Sequence, residues 1–312
     1  MGAQLREYRR RIKSVQSTKK ITRAMELIAA SRIVKAQQRI TASRPYAEAI
    51  TGVVRTVTAE GVVNAEHPLV TPRENPSRAA LLVITSDRGL AGGYSANVLR
   101  AGEQATTRLR ENGIETMPFL VGRKALGYYR FRGRDISHNW TGFSEQPSLE
   151  DARRVSAALL EQFVKGSDDG GVDEIHMVYT HFISMASQKV VALRLIPLDP
   201  EDFAESDSES GSDDGGSEGA SGLIEFEPEG VGVLDALLPR YLTARIFAAM
   251  LDAAASEQVA RRRAMKSATD NADDLIKQLT RDANSARQAE ITQEIMEIVG
   301  GAEALAGSGS EL

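Results

Sequence analysis

Cysteine is absent from all 312 residues. That excludes disulfides and thiolate chemistry and fits a reducing compartment. Aromatic residues make up only 5% of the chain, which suits helix-on-helix packing through Ala, Leu and Ile better than a bulky enzyme core. No apolar run reaches the roughly 18 residues that a membrane span requires. The basic N-terminus lacks an apolar stretch, so no secretory signal is expected. There are four His, none in a nucleophile–base pattern, and no catalytic residue can be named.

Proline and glycine are also missing from both ends of the chain. Residues 3–58 hold one Pro (Pro45) and one Gly (Gly52), and 233–299 hold only Pro239. Each segment therefore reads as a single long helix. At about 1.5 Å per residue they would run roughly 80 and 100 Å. In the first, Leu5, Tyr8, Ile12 and Val15 form an apolar stripe that resumes at Ala29, Ile33, Ala36, Ile40, Ala47, Ile50, Val54 and Val57. Between them the same phase meets Lys19, Thr22 and Glu26, while Ile21, Met25 and Ile28 lie on a shifted face. A phase slip and a change of neighbour are expected there. The second helix offers a seam of Ala268, Ala272, Leu275, Leu279, Ala286, Ala289 and Met296. Neither helix can bury its stripe alone. The economical solution is an antiparallel coiled-coil shaft in which the longer C-terminal helix projects an apolar tip (Ile291, Ile295, Met296, Ile298, Val299) that requires a sleeve from another protein.

The middle of the chain alternates strand and helix. Strands are expected at 79–85, 116–121, 135–140, 174–180 and 189–196. Helices are expected at 94–111, 123–131 and 148–165, the last capped by Ser148 with Asp151 in its first turn. The rhythm predicts a small, mostly parallel, Rossmann-like sheet with helical cover. The expected organisation is a shaft helix over 1–58, an inserted α/β domain over 78–198 and a second shaft helix with tail over 233–312. Between the last two lies an acidic segment over 199–230 with a flexible core at 205–222 and a short edge strand at Ile224–Phe226. That segment holds 12 acids and no Lys or Arg.

Charge is distributed unevenly. Residues 1–44 carry 12 Lys or Arg against Glu7 and Glu26, leaving −15 on the rest of a chain whose net charge is −5. Such a face implies an acidic protein partner, a nucleic acid, or plain solvation, and the apolar seam it flanks favours the first. Other constellations read blandly. Ser86–Gly93 follows a strand and precedes a helix, but its G-x-x-G-G spacing matches neither dinucleotide nor phosphate loops, so a tight turn is expected. His176 and His181 face opposite ways on one strand and make a poor metal pair. Asp207, Glu209, Asp213 and Asp214 lack the glycine and terminal Glu of a calcium loop. No metal or cofactor is expected.

Three stretches carry a resemblance. Residues 12–32 (IKSVQSTKKITRAMELIAASR), 86–93 (SDRGLAGG) and 291–302 (ITQEIMEIVGGA) closely resemble the gamma subunit of F-type ATP synthases, and the run from Ser256-Glu-Gln through Ala268–Asn271 also looks like that family. The resemblance spans the chain. It implies a non-catalytic central-stalk rotor, one copy per complex, turning with a membrane c-ring inside an alpha/beta hexamer whose beta subunits do the phosphoryl chemistry. The implied partners are the alpha, beta and epsilon subunits and the c-ring. Membrane contact comes only through the complex, at the cytoplasmic face of the bacterial plasma membrane. By the same resemblance, Met25 and Arg261 lie where shaft and hexamer couple, and Arg287, Gln288, Thr292 and Glu294 near the catch between shaft and catalytic subunit. Lys19, Lys20 and Arg23 would present charge to the hexamer. With Ala91 in the turn, a plant-type thiol switch is excluded. The runner-up is a coiled-coil nucleic-acid-binding protein. A weaker third reading, a small nucleotide-dependent enzyme built on 78–198, would require that domain to bind nucleotide.

Overall fold

A computed structural model describes residues 2–59, 71–198 and 230–308. The acidic core at 205–222, the edge strand expected at Ile224–Phe226 and Asp207, Glu209, Asp213 and Asp214 lie outside the described residues. Helix α1 (Gly2–Ala59) is followed by β1 (Arg78–Ile84), α2 (Tyr94–Glu111), β2 (Glu115–Val121), α3 (Arg123–Phe131), β3 (His138–Trp140), α4 (Leu149–Lys165), β4 (Glu174–Phe182), β5 (Gln188–Ile196) and α5 (Gly230–Ser308). The chain divides into two compact units, Met1–Ala29 with Arg262–Leu312, and Ala30–Arg261. The division falls inside both long helices.

The first unit is an antiparallel helix pair. Lys19 on α1 meets Asp273 on α5, and Thr22 meets Thr269, so position falls on one helix as it rises on the other. Covered positions on α1 are Leu5, Tyr8, Ile12, Val15, Lys19, Thr22, Glu26 and Ala29, an unbroken alternation of three and four. The expected phase slip does not occur. Thr22 and Glu26 stay in the seam at 8% and 7% exposure, and Ile21, Leu27 and Ile28 turn outward. On α5 the covered positions are Met265, Thr269, Ala272, Ile276, Leu279, Ala283, Ala286 and Glu290, again a heptad rhythm. Of the expected seam, Ala272, Leu279 and Ala286 hold and Ala268 lies half-buried beside it, whereas Leu275, Ala289 and Met296 are exposed. Ile276, half-buried, takes the seam position that Leu275 was expected to fill.

The second unit is built on a five-stranded sheet of order β3-β2-β1-β4-β5. Its first four strands are parallel and β5 returns antiparallel to β4. Alternate residues of β1 feed two cores. Leu81 and Val83 pack with Val98 and Ala105 of α2 and Ala125 and Tyr129 of α3. Ala80, Leu82 and Ile84 pack with Val155 and Leu159 of α4, Ile50 and Val54 of α1, and Leu242, Ile246 and Met250 of α5. Helix α4 starts at a full capping box: Asp151 N–H donates to Ser148 Oγ at 3.2 Å and Ser148 N–H to Asp151 Oδ2 at 2.9 Å. Strand β3 is shorter than expected because it pairs only with the last three residues of β2, where Phe119, His138 and Trp140 stack.

Asp173, 2% exposed, ties the entry of the sheet together. Its carboxylate accepts from the amides of Ser77 (2.8 Å), Arg78 (3.2 Å) and Ser167 (3.1 Å) and from Arg73 (2.5 Å). Burial alone would raise its pKa, but these donors outweigh it and bring it down to about 2 from 3.8. A depressed carboxyl stabilises the fold above its unfolded pKa, and the gain is lost as pH falls through the folded value. Asp173→Asn should therefore lower the unfolding free energy by about 2 kcal/mol at pH 7, with the gap closing between about pH 4 and pH 2. Urea titrations at several pH values would read this, and an unchanged midpoint at pH 7 would contradict it.

Candidate functional site

In the first unit, the residues expected to couple cluster around the polar part of the seam. Lys19 is half-buried and spends its charge on Asp273. Thr22 and Thr269 share a hydroxyl–hydroxyl hydrogen bond of 2.8 Å while one also donates to its own helix, at Lys19 O or Met265 O. Glu26 is capped by Arg23, whose guanidinium donates to it at 2.7 Å and remains mostly exposed. Met25 is half-buried and Lys20 fully outward. Glu7 is likewise used internally, by Arg10 at 2.6 Å and Arg11 at 3.6 Å. Both acids of the N-terminal face are thus taken. Arg9, Lys13 and Lys20 stay exposed with no ion-pair partner among the described residues.

Extending the Lys19–Asp273 register places the start of α1 opposite about Glu290. Every residue from Ile291 to Ala302 is exposed, with Met296 at 70% and Ile298 at 71%. The projecting apolar tip is therefore present, and apolar area left in water marks a surface made to be covered. Arg287, Gln288, Thr292 and Glu294 stand at its base, all exposed, and Thr292 Oγ1 donates to Gln288 O at 2.9 Å.

Arg261 is placed differently from these. It belongs to the second unit, is 5% exposed, and does not reach the surface. Its guanidinium lies 2.6 Å from Glu257, 3.2 Å from Glu145 and 3.4 Å from Gly89 O. Burial pushes the Glu257 carboxyl up, and Arg261 pulls it part of the way back. Glu145 also takes Arg32 at 2.6 Å and Arg88 at 3.6 Å. Glu145, Glu257, Arg32 and Arg88 were missed by sequence reasoning. Only the i, i+4 spacing of Glu257 and Arg261 could have signalled part of this cluster.

The Ser86–Gly93 turn is packed from within. Asp87 accepts from the amides of Arg123 (3.1 Å), Gly142 (2.7 Å) and Ser144 (3.0 Å), and Ser86 and Ser95 share a hydroxyl bond of 2.7 Å. A fixed carboxylate collecting these amides opposes a phosphate there, in keeping with a structural turn. Leu90 and Gly92 adopt positive φ, the backbone form that lets the chain reverse between β1 and α2. His176 and His181 each find a carboxylate, Glu174 at 2.7 Å and Asp252 at 2.5 Å. Among the described residues no three metal-ligating side chains converge.

Arg261→Gln would leave Glu257, 1% exposed, without its counter-ion. The expected loss is about 3 kcal/mol near pH 8. A carboxyl with a raised pKa is neutral below it, so the loss should shrink as the medium is acidified and Glu257 takes up a proton. Thermal unfolding of variant and parent at pH 8 and pH 5.5 measures both parts. A loss independent of pH would show that Glu257 carries no such charge.

Comparison with known proteins places this geometry. A family model described as ATP synthase matches residues 4–305. The chain is 59% identical to the ATP synthase gamma chain of Acidothermus cellulolyticus, covering 100% of both. It is 58% identical to that of Frankia casuarinae, covering 98% of this chain and 99% of the relative. Among solved structures, a chain of the Euglena gracilis mitochondrial ATP synthase OSCP/F1/c-ring assembly matches with a TM-score of 0.65 at 20% identity, over 100% of this chain and 97% of that one. A chain of the Tetrahymena thermophila mitochondrial central stalk/c-ring matches with a TM-score of 0.58 at 22% identity, over 80% and 99%. At such identities the structures speak to the fold alone. A family model over almost the whole chain and relatives of this identity aligned end to end mean that the chain belongs to the ATP synthase gamma-chain family.

Proposed function

We propose that the chain is the central-stalk rotor subunit of a rotary ATP synthase, carrying torque between a proton-driven membrane ring and a catalytic hexamer. The observation that carries this reading is the unequal helix pair, in which α5 continues from about Glu290 as an uncovered apolar tip, in a chain of the gamma-chain family. A rod of two unlike helices presents a different face to each of three equivalent sites as it turns. Its own role is mechanical, and the phosphoryl chemistry belongs to the beta subunits. The partners are the alpha and beta subunits around the shaft, the epsilon subunit, and the c-ring, with one copy per complex. The complex places it peripherally at the cytoplasmic face of the bacterial plasma membrane. In working terms, 1–58 and 233–312 form the shaft, 78–198 the inserted domain and 199–230 an acidic connector.

Site roles follow from exposure. Lys20 and Arg23, with Met25 and the outward Ile21, Leu27 and Ile28, form the face offered to the hexamer. Exposed ion pairs of about 0–1 kcal/mol suit a contact that forms and breaks at each step. Lys19 acts mainly within the shaft through Asp273, and Arg261 acts from inside the second unit by holding other groups in place. Arg287, Gln288, Thr292 and Glu294 form the polar collar below the apolar tip. A nucleic-acid arm is disfavoured because Arg10, Arg11, Lys19 and Arg23 are each tied to an acid of the same chain.

The chain should co-purify with alpha, beta and epsilon subunits, and recovery without them would defeat the reading. Reversing charge at Lys20 and Arg23 should lower ATP synthesis about fivefold, the worth of two exposed pairs at roughly 0.5 kcal/mol each. Synthesis rates in inverted vesicles with normal assembly measure this, and unchanged rates would remove these residues from the coupling face.

A further inference from the structure

The charged cluster inside the second unit has a centre that the sequence does not advertise. Glu145, in the loop between β3 and α4, is mostly buried and receives guanidinium groups from three separate parts of the chain: Arg32 of α1 at 2.6 Å, Arg88 of the β1–α2 turn at 3.6 Å and Arg261 of α5 at 3.2 Å. The backbone beneath it is fixed from the sheet side. Asp87 accepts from the amides of Gly142 and Ser144, and Ser144 Oγ accepts from Asp87 N–H at 2.8 Å. The loop is therefore anchored to the end of β1, while its carboxylate reaches out to both long helices.

We propose that Glu145 is a positioning residue that locks α1 to the inserted domain against rotation about its own axis. This rests on the rotor reading above. Helix α5 is also held to the inserted domain by hydrogen bonds of Asp252 with His181, Thr243 with Ser156 and Ala253 O with the Tyr94 hydroxyl, whereas α1 packs on it through apolar Ile50 and Val54. Such packing is non-directional and resists separation more than it resists a small roll. The Arg32–Glu145 contact is a charge-assisted hydrogen bond of fixed direction on a mostly buried carboxylate, which Arg261 meets as an ion pair without hydrogen-bond geometry. Glu257 supports it by holding Arg261 from the same helix at 2.6 Å. Arg88, mostly exposed and farthest from Glu145, contributes least. Torque applied to the domain would then reach α1 together with α5, and removing the carboxylate would let the domain and α5 turn before α1 follows.

The test uses the assembled complex in inverted membrane vesicles, measuring ATP hydrolysis and ATP-driven proton pumping together. Glu145→Gln keeps the shape and removes the charge. It is expected to retain hydrolysis while pumping per ATP falls about threefold, a size typical of residues that carry coupling. Glu145→Asp should restore most of the ratio, and Arg88→Ala should leave it near the parent value. Arg32→Gln removes the same α1 arm and should lower the ratio about as much as Glu145→Gln. A parent-like ratio in assembled Glu145→Gln complexes overturns the proposal, as does a proportional loss of hydrolysis and pumping, which marks a merely structural role. If Glu145→Gln fails to assemble, Arg32→Gln decides: a lowered ratio supports the lock and a parent-like ratio overturns it. A parent chain that assembles with no hexamer at all would sink the rotor reading, and this proposal with it.

Discussion

A long helix in water needs a neighbour along its length, and the two long helices of this chain are organised by how that need is met. Positions 251–259 of α5 are buried on every side. From Met265 to Glu290 the helix is covered on one heptad stripe only, and from Ile291 to Ala302 it is not covered at all. Each regime sets what the segment can do. The wrapped segment is fixed, the striped segment can present its other faces to a partner, and the uncovered segment is incomplete without one.

The existence of the helix pair and the α/β insert was legible because both rest on local signals. Scarcity of Gly and Pro marks the helices, and strand–turn–helix alternation marks the sheet. Helices α2 and α3 begin and end at the residues expected, and Ser148 caps α4. The phase of the seam was not legible in its polar stretch. A reading by apolarity must follow Ile21, Met25 and Ile28, since nothing in one helix reveals that Thr22 will find Thr269 and Lys19 will find Asp273. The same rule chose Leu275 over Ile276 on α5. Both errors come from assuming that the largest apolar residues belong inside. On this shaft some of them belong to the surface that another chain covers.

The Glu145 cluster was illegible for another reason. Its ion pairs join residues 57 to 116 positions apart as well as one at i, i+4. No spacing rule reaches across such distances, and only the meeting of the two loops beside α1 and α5 creates the contact. Arg261 was singled out by resemblance to a family, yet its surroundings show it acting on Glu145 and Glu257 before it can act on anything else. A residue that matters for coupling need not touch the partner it couples to.

The polar stretch of the seam adds a last constraint on the shaft itself. Ala, Ile and Leu repeat along both stripes, and a seam of that kind tolerates sliding by a heptad with little loss of burial. Thr22, Lys19, Thr269 and Asp273 remove that freedom. A one-heptad shift would set Thr22 against Ile276 and Thr269 against Ala29, and would part Lys19 from Asp273. The hydroxyls could turn back to their own helices, at Lys19 O and Met265 O, so the shift would not unfold the pair. It would cost the specific match, which is the commoner use of polar groups in a coiled-coil seam. A rod that slides can still be stable, but it cannot deliver a fixed angle. Register, more than stability, is what the buried polar residues supply.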